Sequence, residues 1–396
     1  MSDIQKNNRP NVPNLRFPEF SGEWKKSILK AECEINPKTG PLADTFQYID
    51  LESVVKGQLI KVNYLKKEDA PSRAQRVLSK WDILYQCVRP YQLNNFLVRD
   101  NSSTQRVAST GYAQIRTNNN PDFFFQLLHT QKFTGRVINR CTGTNYPAIN
   151  STDLSEIEIN IPEIKEQEKI GRMLSLIDQR IAIQNRLIEQ YESLIKAIID
   201  KWVKVLLSGK TVRFDQLYER AGEGGTPSTS VKEYYDGGEI PFVKIEDLSP
   251  MYLTENKDYI TAEGLSKSSA WMIPEHSVIY SNGATIGSIS INTYPVTTKQ
   301  GILGIVPLKG VQTEYLYYMM RSSYFSKEVH RIITEGTMKT AYLKDINSII
   351  CPIPFPEIQS RMVSGLLALS EKVSLEGKIQ RFLKDLKSTL LNQLFI

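Results

Sequence analysis

The chain has 396 residues, 41% hydrophobic and 23% charged, with a formal net charge of +6. That length exceeds one ordinary core and the composition is that of a folded rather than a disordered protein, so two or three domains are expected. The sequence lacks the run of about 18 apolar residues that a spanning helix needs, and its polar opening MSDIQKNNRPNVPNLRF is not a secretory signal, which reads as a cytoplasmic chain with no membrane partner.

In chain order, residues 1–14 read as a polar tail and 15–160 as a first lobe of mixed α and β structure. Within it Lys80–Tyr85 and Arg106–Ala108 suggest short strands, and Asp122–Thr134 suggests one helix around Phe123, Phe124, Leu127 and Leu128. From Lys56 to Arg140 there are 14 Lys and Arg against 5 Asp and Glu, interleaved with Tyr64, Trp81, Tyr85, Tyr91, Phe96 and Tyr112. A basic run with aromatic residues suits phosphate contacts and, from some arginines, bidentate contacts to base edges. The candidates for DNA contact here are Arg73, Arg76, Lys80, Arg89, Arg99, Arg106, Arg136 and Arg140.

Residues 161–208 hold a long helix, from about Glu166 to Val205. Its apolar seam is Ile170, Leu174, Ile177, Ile181, Gln184, Ile188, Tyr191, Ile195, Ile198, Trp202 and Val205. The repeating steps of four and three call for a second helix in a knobs-into-holes seam, with Gln184 as a polar register point. A second lobe, 209–354, follows. Its strand material is Trp271–Pro274, Ser277–Tyr280 and Gly301–Val306, its helix Thr313–His330, and its turns include Gly224-Gly225-Thr226-Pro227 and Asn282-Gly283. Residues 209–350 carry 14 basic against 16 acidic side chains, and only Lys299–Lys344 is locally positive, 7 against 3. Its DNA-contact candidates are Lys267, Asn282, Lys299, Arg331 and Lys339. Residues 355–396 form a second long helix, from about Gln359 to Leu394, with Met362, Leu366, Leu369, Val373, Ile379, Leu383, Leu386 and Leu390 on its stripe. The stripe slips between Val373 and Ile379, where Gly377 predicts a bend or altered packing.

The two halves repeat. Asp153, Leu154, Ile157, Ile161 and Pro162 match Asp345, Ile346, Ile349, Ile353 and Pro354 at a constant offset of 192, and Gly143-Thr144 matches Gly336-Thr337 at 193. Each match leads into a long amphipathic helix, and two matching helices in one chain favour pairing with each other over docking separately. The expected class is α+β: two pseudo-symmetric recognition lobes joined by two long antiparallel helices that form a coiled-coil spacer.

Catalytic chemistry finds no foothold. Ser208-Gly209-Lys210-Thr211 ends like a phosphate loop, but Lys204 stands where the first glycine belongs, so no glycine-rich nest forms and a helix stop is expected. Pro121-Asp122 lacks a nearby Glu-x-Lys strand, since Glu163-Ile164-Lys165 is remote and opens the helix. Cys33, Cys87, Cys141 and Cys351 include no CxxC pair, and His129, His276 and His330 complete no zinc motif. No catalytic residue, metal site or cofactor is expected in this chain.

Assembled in order, the strings resemble the specificity subunits of type I restriction-modification systems. The opening Pro13-Asn14-Leu15-Arg16-Phe17-Pro18-Glu19-Phe20 with Gly22-Glu23-Trp24 resembles the family's entrance. Gly224-Gly225-Thr226-Pro227-Ser228, Tyr234 to Phe242, Lys244 to Leu248, Gly283 to Gly287 and Gln300-Gly301 resemble a target recognition domain, and Ile161-Pro162-Glu163 and Ile353 to Glu357 its repeated helix entrances. The resemblance implies two target recognition domains, each reading half of a bipartite DNA sequence, with the helices as the ruler between them. It implies two methyltransferase subunits that bind S-adenosylmethionine, and restriction-translocase subunits that use ATP and Mg2+. The other reading is a duplicated protein-interaction scaffold without sequence readout.

Overall fold

The computed structural model of the chain describes residues 11–283, 285–333 and 340–396. The chain divides into two compact units, Met1–Asn185 with Lys378–Ile396, and Arg186–Gly377. Both long helices are therefore shared: each gives one half to each unit.

In the first unit, β-branched and aromatic residues at alternating positions build two four-stranded sheets. One runs in the order Asn63–Lys66, Thr45–Ile49, Gln105–Ser109 and Ala74–Val77, the other Cys33–Ile35, Tyr112–Thr117, Ile83–Gln86 and Phe96–Leu97. The lobe is closed at its base by Lys25–Ile28 paired with Glu158–Ile161. In the second unit a five-stranded sheet runs Tyr218–Glu223, Ile302–Pro307, Val278–Ser281, Ile289–Asn292 and Tyr252–Leu253, beside a three-stranded one of Asp258–Ile260, Ile240–Val243 and Thr297–Thr298. Its base is the pairing of Thr211–Arg213 with Ile350–Pro352. The expected strand at Trp271–Pro274 is a single bridge, Ile273 to Val296, because Pro274 has no N–H to continue a ladder.

The helix expected over Asp122–Thr134 is two helices, Pro121–Leu127 and Gln131–Ile138. The one expected over Thr313–His330 is likewise two, Thr313–Met320 and Ser323–Ile332. A hydroxyl breaks both. Thr130 Oγ1 accepts from Phe133 N at 3.2 Å and Ser322 Oγ from Phe325 N at 3.1 Å, so each caps the second helix and stops the first.

The long helices span Ile164–Leu206 and Pro356–Leu394. In the first unit they run antiparallel, with Lys387 Nζ 2.6 Å from Asp178 Oδ1 and Gln380 Nε2 donating to Asn185 Oδ1. Ile170 and Leu174 are buried with Leu394 and Phe395 in the lobe's core, and Ile177 and Leu390 pack on its edge. In the second unit Ile195, Ile199 and Val203 are buried with Met362, Val363 and Leu366, and Val373 is partly buried against them. Ile181, Ile188, Tyr191, Leu383 and Leu386 are half-buried along the helices, and Gln184 is fully buried. The expected seam fails at one end: Val205 is 61% exposed while Ile199 and Val203 are buried. There the helix serves the lobe's core, whose contact face follows steps of four rather than the four-three seam. The stripe slip near Gly377 does not interrupt the second helix; it falls where the helix leaves one unit for the other.

The repeat extends to hydrogen bonds. Gln167 Nε2 donates to Pro162 O at 2.9 Å and its Oε1 accepts from Asn120 N at 3.3 Å. In the second unit Gln359 Nε2 donates to Pro354 O at 3.0 Å and its Oε1 accepts from Gln312 N at 2.9 Å. Both glutamines are buried, and each ties a helix entrance to the helix pair of its own lobe. Replacing Gln167 or Gln359 with alanine strands these backbone groups. Each change is expected to cost about 1–3 kcal/mol in chemical denaturation, while Glu168→Ala at an exposed neighbour should stay within about 0.5 kcal/mol.

Candidate nucleic-acid interface

The basic run of the first lobe separates into charges that hold the fold and charges that face outward. Arg106, on the strand Gln105–Ser109, donates from Nη1 to Asp100 Oδ1 at 2.7 Å, from Nη2 to Asp100 Oδ2 at 3.1 Å and from Nε to Gln47 Oε1 at 3.0 Å. The Arg106 pairing holds the Asp100 carboxyl below its ordinary range. Arg99 is paired with Asp122, so the aspartate weighed as a nuclease carboxylate is an ion-pair partner. Arg136 Nη1 donates to the carbonyl of Glu158, and Arg140 Nη1 to that of Asp153 at 3.1 Å, which anchors the helix Gln131–Ile138 to the repeated segment.

The sequence gives no notice of Arg116, whose Nε and Nη2 each reach the fully buried Asp82 at 2.8 Å. Asp82 also accepts from Ser79 N and Gln114 Nε2, both at 2.7 Å, so it organises the junction of the two sheets.

Arg73, Arg76 and Arg89 have no hydrogen-bonded side-chain partner among the described residues, and Lys80 rests 5.0 Å from the ring of exposed Trp81. Arg76 lies on the strand Ala74–Val77 opposite Ala108; its Nε is buried without a partner and burial lowers its pKa. Arg89 stacks 4.3 Å from the ring of Tyr146, which is 64% exposed. Tyr146 lies beyond the run Lys56–Arg140, and only the fold places it against an arginine.

In the second lobe Lys267 and Lys299 are exposed, while Arg331 pairs with Glu328. Asn282 is fully buried: its Nδ2 donates to Ala341 O at 3.1 Å and its backbone carbonyl accepts from Ala341 N at 2.9 Å. It therefore joins two loops rather than presenting an exposed amide. Lys339, Gly336, Thr337 and Ala284 lie outside the described residues. The Gly224-Gly225 pair has a packing reason: a Cβ at Gly224 would sit 2.1 Å from Thr298 O, and one at Gly225 2.3 Å from Ala270 N. Among the described residues no group of His, Cys, Asp and Glu is arranged to hold a metal ion, and no helix is long and apolar enough to cross a membrane.

Residues 57–193 and 210–384 match the family described as the type I restriction modification DNA specificity domain. The chain belongs to that family. The HindI specificity subunit of Haemophilus influenzae is 24% identical over 86% of this chain and 92% of the relative, and the MjaIX specificity subunit of Methanocaldococcus jannaschii is 30% identical over 44% and 40%. Among solved structures, the type I S subunit from M. genitalium aligns with a TM-score of 0.63 at 16% identity, covering 97% of this chain and 99% of that one. A chain from a study of assembly and conformational transition in a type I system aligns at 0.55 with 22% identity, covering 94% and 97%. These two likenesses show the fold: mixed lobes with long helices. As a specificity subunit the chain serves DNA target recognition and is not itself the catalyst. A scaffold without sequence readout finds no support.

The sorting of charges predicts two classes of variant. Arg106→Gln removes a held pair and is expected to cost about 1 kcal/mol of stability. Arg73→Gln should leave stability within about 0.5 kcal/mol but lower the slope of log K against log salt for DNA binding by the assembled complex by about 0.9.

Proposed function

We propose that the lobes 15–160 and 209–354 each read one half of a bipartite DNA target, and that the segments 161–208 and 355–396 set the unread spacer between the halves. The observation that supports this most is the duplication: at a fixed offset of 192 the same backbone atoms are held by Gln167 and Gln359. Two lobes built on one plan suit two half-sites, and helices shared by both suit a ruler. Arg73, Arg76, Lys80 and Arg89 in the first lobe, and Lys267 and Lys299 in the second, are the contacts favoured by exposure or by a lack of internal partners.

Catalysis falls to partners. Two methyltransferase subunits, using S-adenosylmethionine, would methylate adenine at the sites this chain selects, and restriction-translocase subunits, using ATP and Mg2+, would join them in the cytoplasm. Apolar side chains on the long helices support docking of partner chains. Leu176, Ile183 and Phe382 are exposed in the first unit, and Leu194 and Leu375 in the second, and such side chains are available to an interaction surface.

Methylation mapping of a host with and without the gene should reveal one motif with two specified halves, present only with the gene. Inserting one heptad in both helices adds about 10 Å, or about three base pairs of duplex at 3.4 Å each. The expected result is an unchanged pair of half-sites with a longer spacer. A motif whose halves change while the spacer stays fixed would refute the ruler.

A further inference from the structure

Two loops meet at the surface of the first lobe. One follows the strand Ile83–Gln86, the other is the repeated string Cys141 to Asn150. Val88 and Ala148 form a bridge, Arg89 N donates to Pro147 O at 2.8 Å, and Ile149 N donates to Cys87 O at 3.0 Å. The same junction exists in the second lobe, where Asn282 and Ala341 bond through backbone and side chain; Ala341 N donates to Asn282 O as Ile149 N donates to Cys87 O, and Ile149 and Ala341 are equivalent at the offset of 192 that also relates Asp153 to Asp345. Both lobes thus share the junction, and what it displays differs between them.

In the first lobe it displays Arg89 and Tyr146. Arg89 has φ 53° and ψ 56°, left-handed values, and it precedes Pro90. That region is costly for a side chain with a Cβ, and the following proline disfavours it further. Pro90 is buried and fixes the loop. Residues held in such conformations cluster at binding and active sites, and Arg89 itself is half-buried. Here the guanidinium sits over the Tyr146 ring, with its carbon 4.3 Å from the ring centre. Stacking occupies the face of the guanidinium and leaves its in-plane N–H fork free. Arg106 and Arg116 have their forks committed to Asp100 and Asp82, and Arg99, Arg136 and Arg140 each spend one Nη1 on an internal partner. Arg73 and Arg76 also lack a hydrogen-bonded side-chain partner among the described residues, but among the first-lobe arginines described only Arg89 rests on a ring.

We infer that Arg89 is a specificity-determining residue: its fork donates to O6 and N7 of a guanine in the half-site read by the first lobe, and Tyr146 is the positioning residue that holds the fork. A planar pair of donors held against a ring and without an internal hydrogen-bond partner among the described residues matches that base edge, the commonest specific contact arginine makes. The inference rests on the DNA-reading function above and adds the base and the residue.

The test is genomic methylation mapping with the full chain expressed beside its methyltransferase subunits, as wild type, Arg89→Lys, Arg89→Gly, Tyr146→Ala and Tyr146→Phe. A wild-type motif with two halves upholds the reading of the chain as a specificity subunit; its absence would overturn that reading itself. Given the motif, Arg89→Lys and Arg89→Gly should relax one G·C position of one half by about tenfold to a hundredfold, the discrimination of one bidentate pair, and leave the other half intact. Tyr146→Ala should relax the same position more weakly, and Tyr146→Phe, which keeps the ring, should restore it. Arg89→Gly suits the left-handed backbone, so its thermal midpoint should equal or exceed the wild type's, separating loss of readout from loss of fold. The inference is overturned by an unchanged motif in the Arg89 variants, by a uniform loss of methylation with no position relaxed, or by a first-lobe half-site made of A·T pairs alone.

Discussion

Each lobe of this protein depends on the two helix halves that pack into it. Ile170, Leu174, Leu394 and Phe395 lie inside the core of the first lobe, where Phe395 sits 5.2 Å from the ring of Phe123 and 6.2 Å from that of Trp24. Ile195, Ile199, Val203, Met362, Val363 and Leu366 do the same in the second. Burying several such side chains is worth roughly 1.5–3 kcal/mol each, a large share of what holds a domain together. Neither lobe can therefore be understood as a separate head attached to a stalk: the helices are one wall of each core.

That constraint explains which parts of the repeat are kept and which vary. The kept parts are groups that close the wall: Gln167 and Gln359 at the helix entrances, Thr130 and Ser322 at the helix caps, and the buried pairs Phe133 with Phe325 and Val137 with Val329. Local differences are absorbed beside them. Gly171 has no room for a Cβ, which would lie 2.6 Å from Asn120 Oδ1; the second lobe holds Val363 there, and Gln312, in place of Asn120, makes no side-chain cap. Surface loops are freer still, and a duplicated frame with divergent loops would suit the two half-sites proposed above.

Charge needs the same separation of roles. A surplus of basic residues raises the prospect of a polyanionic partner, yet in the first lobe many of those residues are committed to carboxylates and backbone carbonyls. Their removal would act on folding before it acted on recognition. The basic residues without such partners are few, and they differ in how firmly they are held: Arg73 is an exposed side chain, Lys80 leans on Trp81, and Arg89 is held by both its backbone and a ring.

The amino-acid sequence by itself determined the long helices, the duplication and the family, because heptad spacing and repeated strings are local patterns that no distant contact can rearrange. It also showed the Ser208-Gly209 stop, which the fold realises as a bond from Ser208 Oγ to Val205 O. It could not sort the charges. Whether an arginine meets Asp82, Asp122 or a tyrosine ring depends on strands and loops separated in the chain, and Arg116 and Tyr146 gained their roles only there. The tertiary structure also decided where the seam ends, since Val205 or Val203 is buried according to whether the helix faces its partner or a lobe's core. Patterns set by neighbours in sequence can be read from sequence, whereas a side chain's partner is fixed by packing at long range.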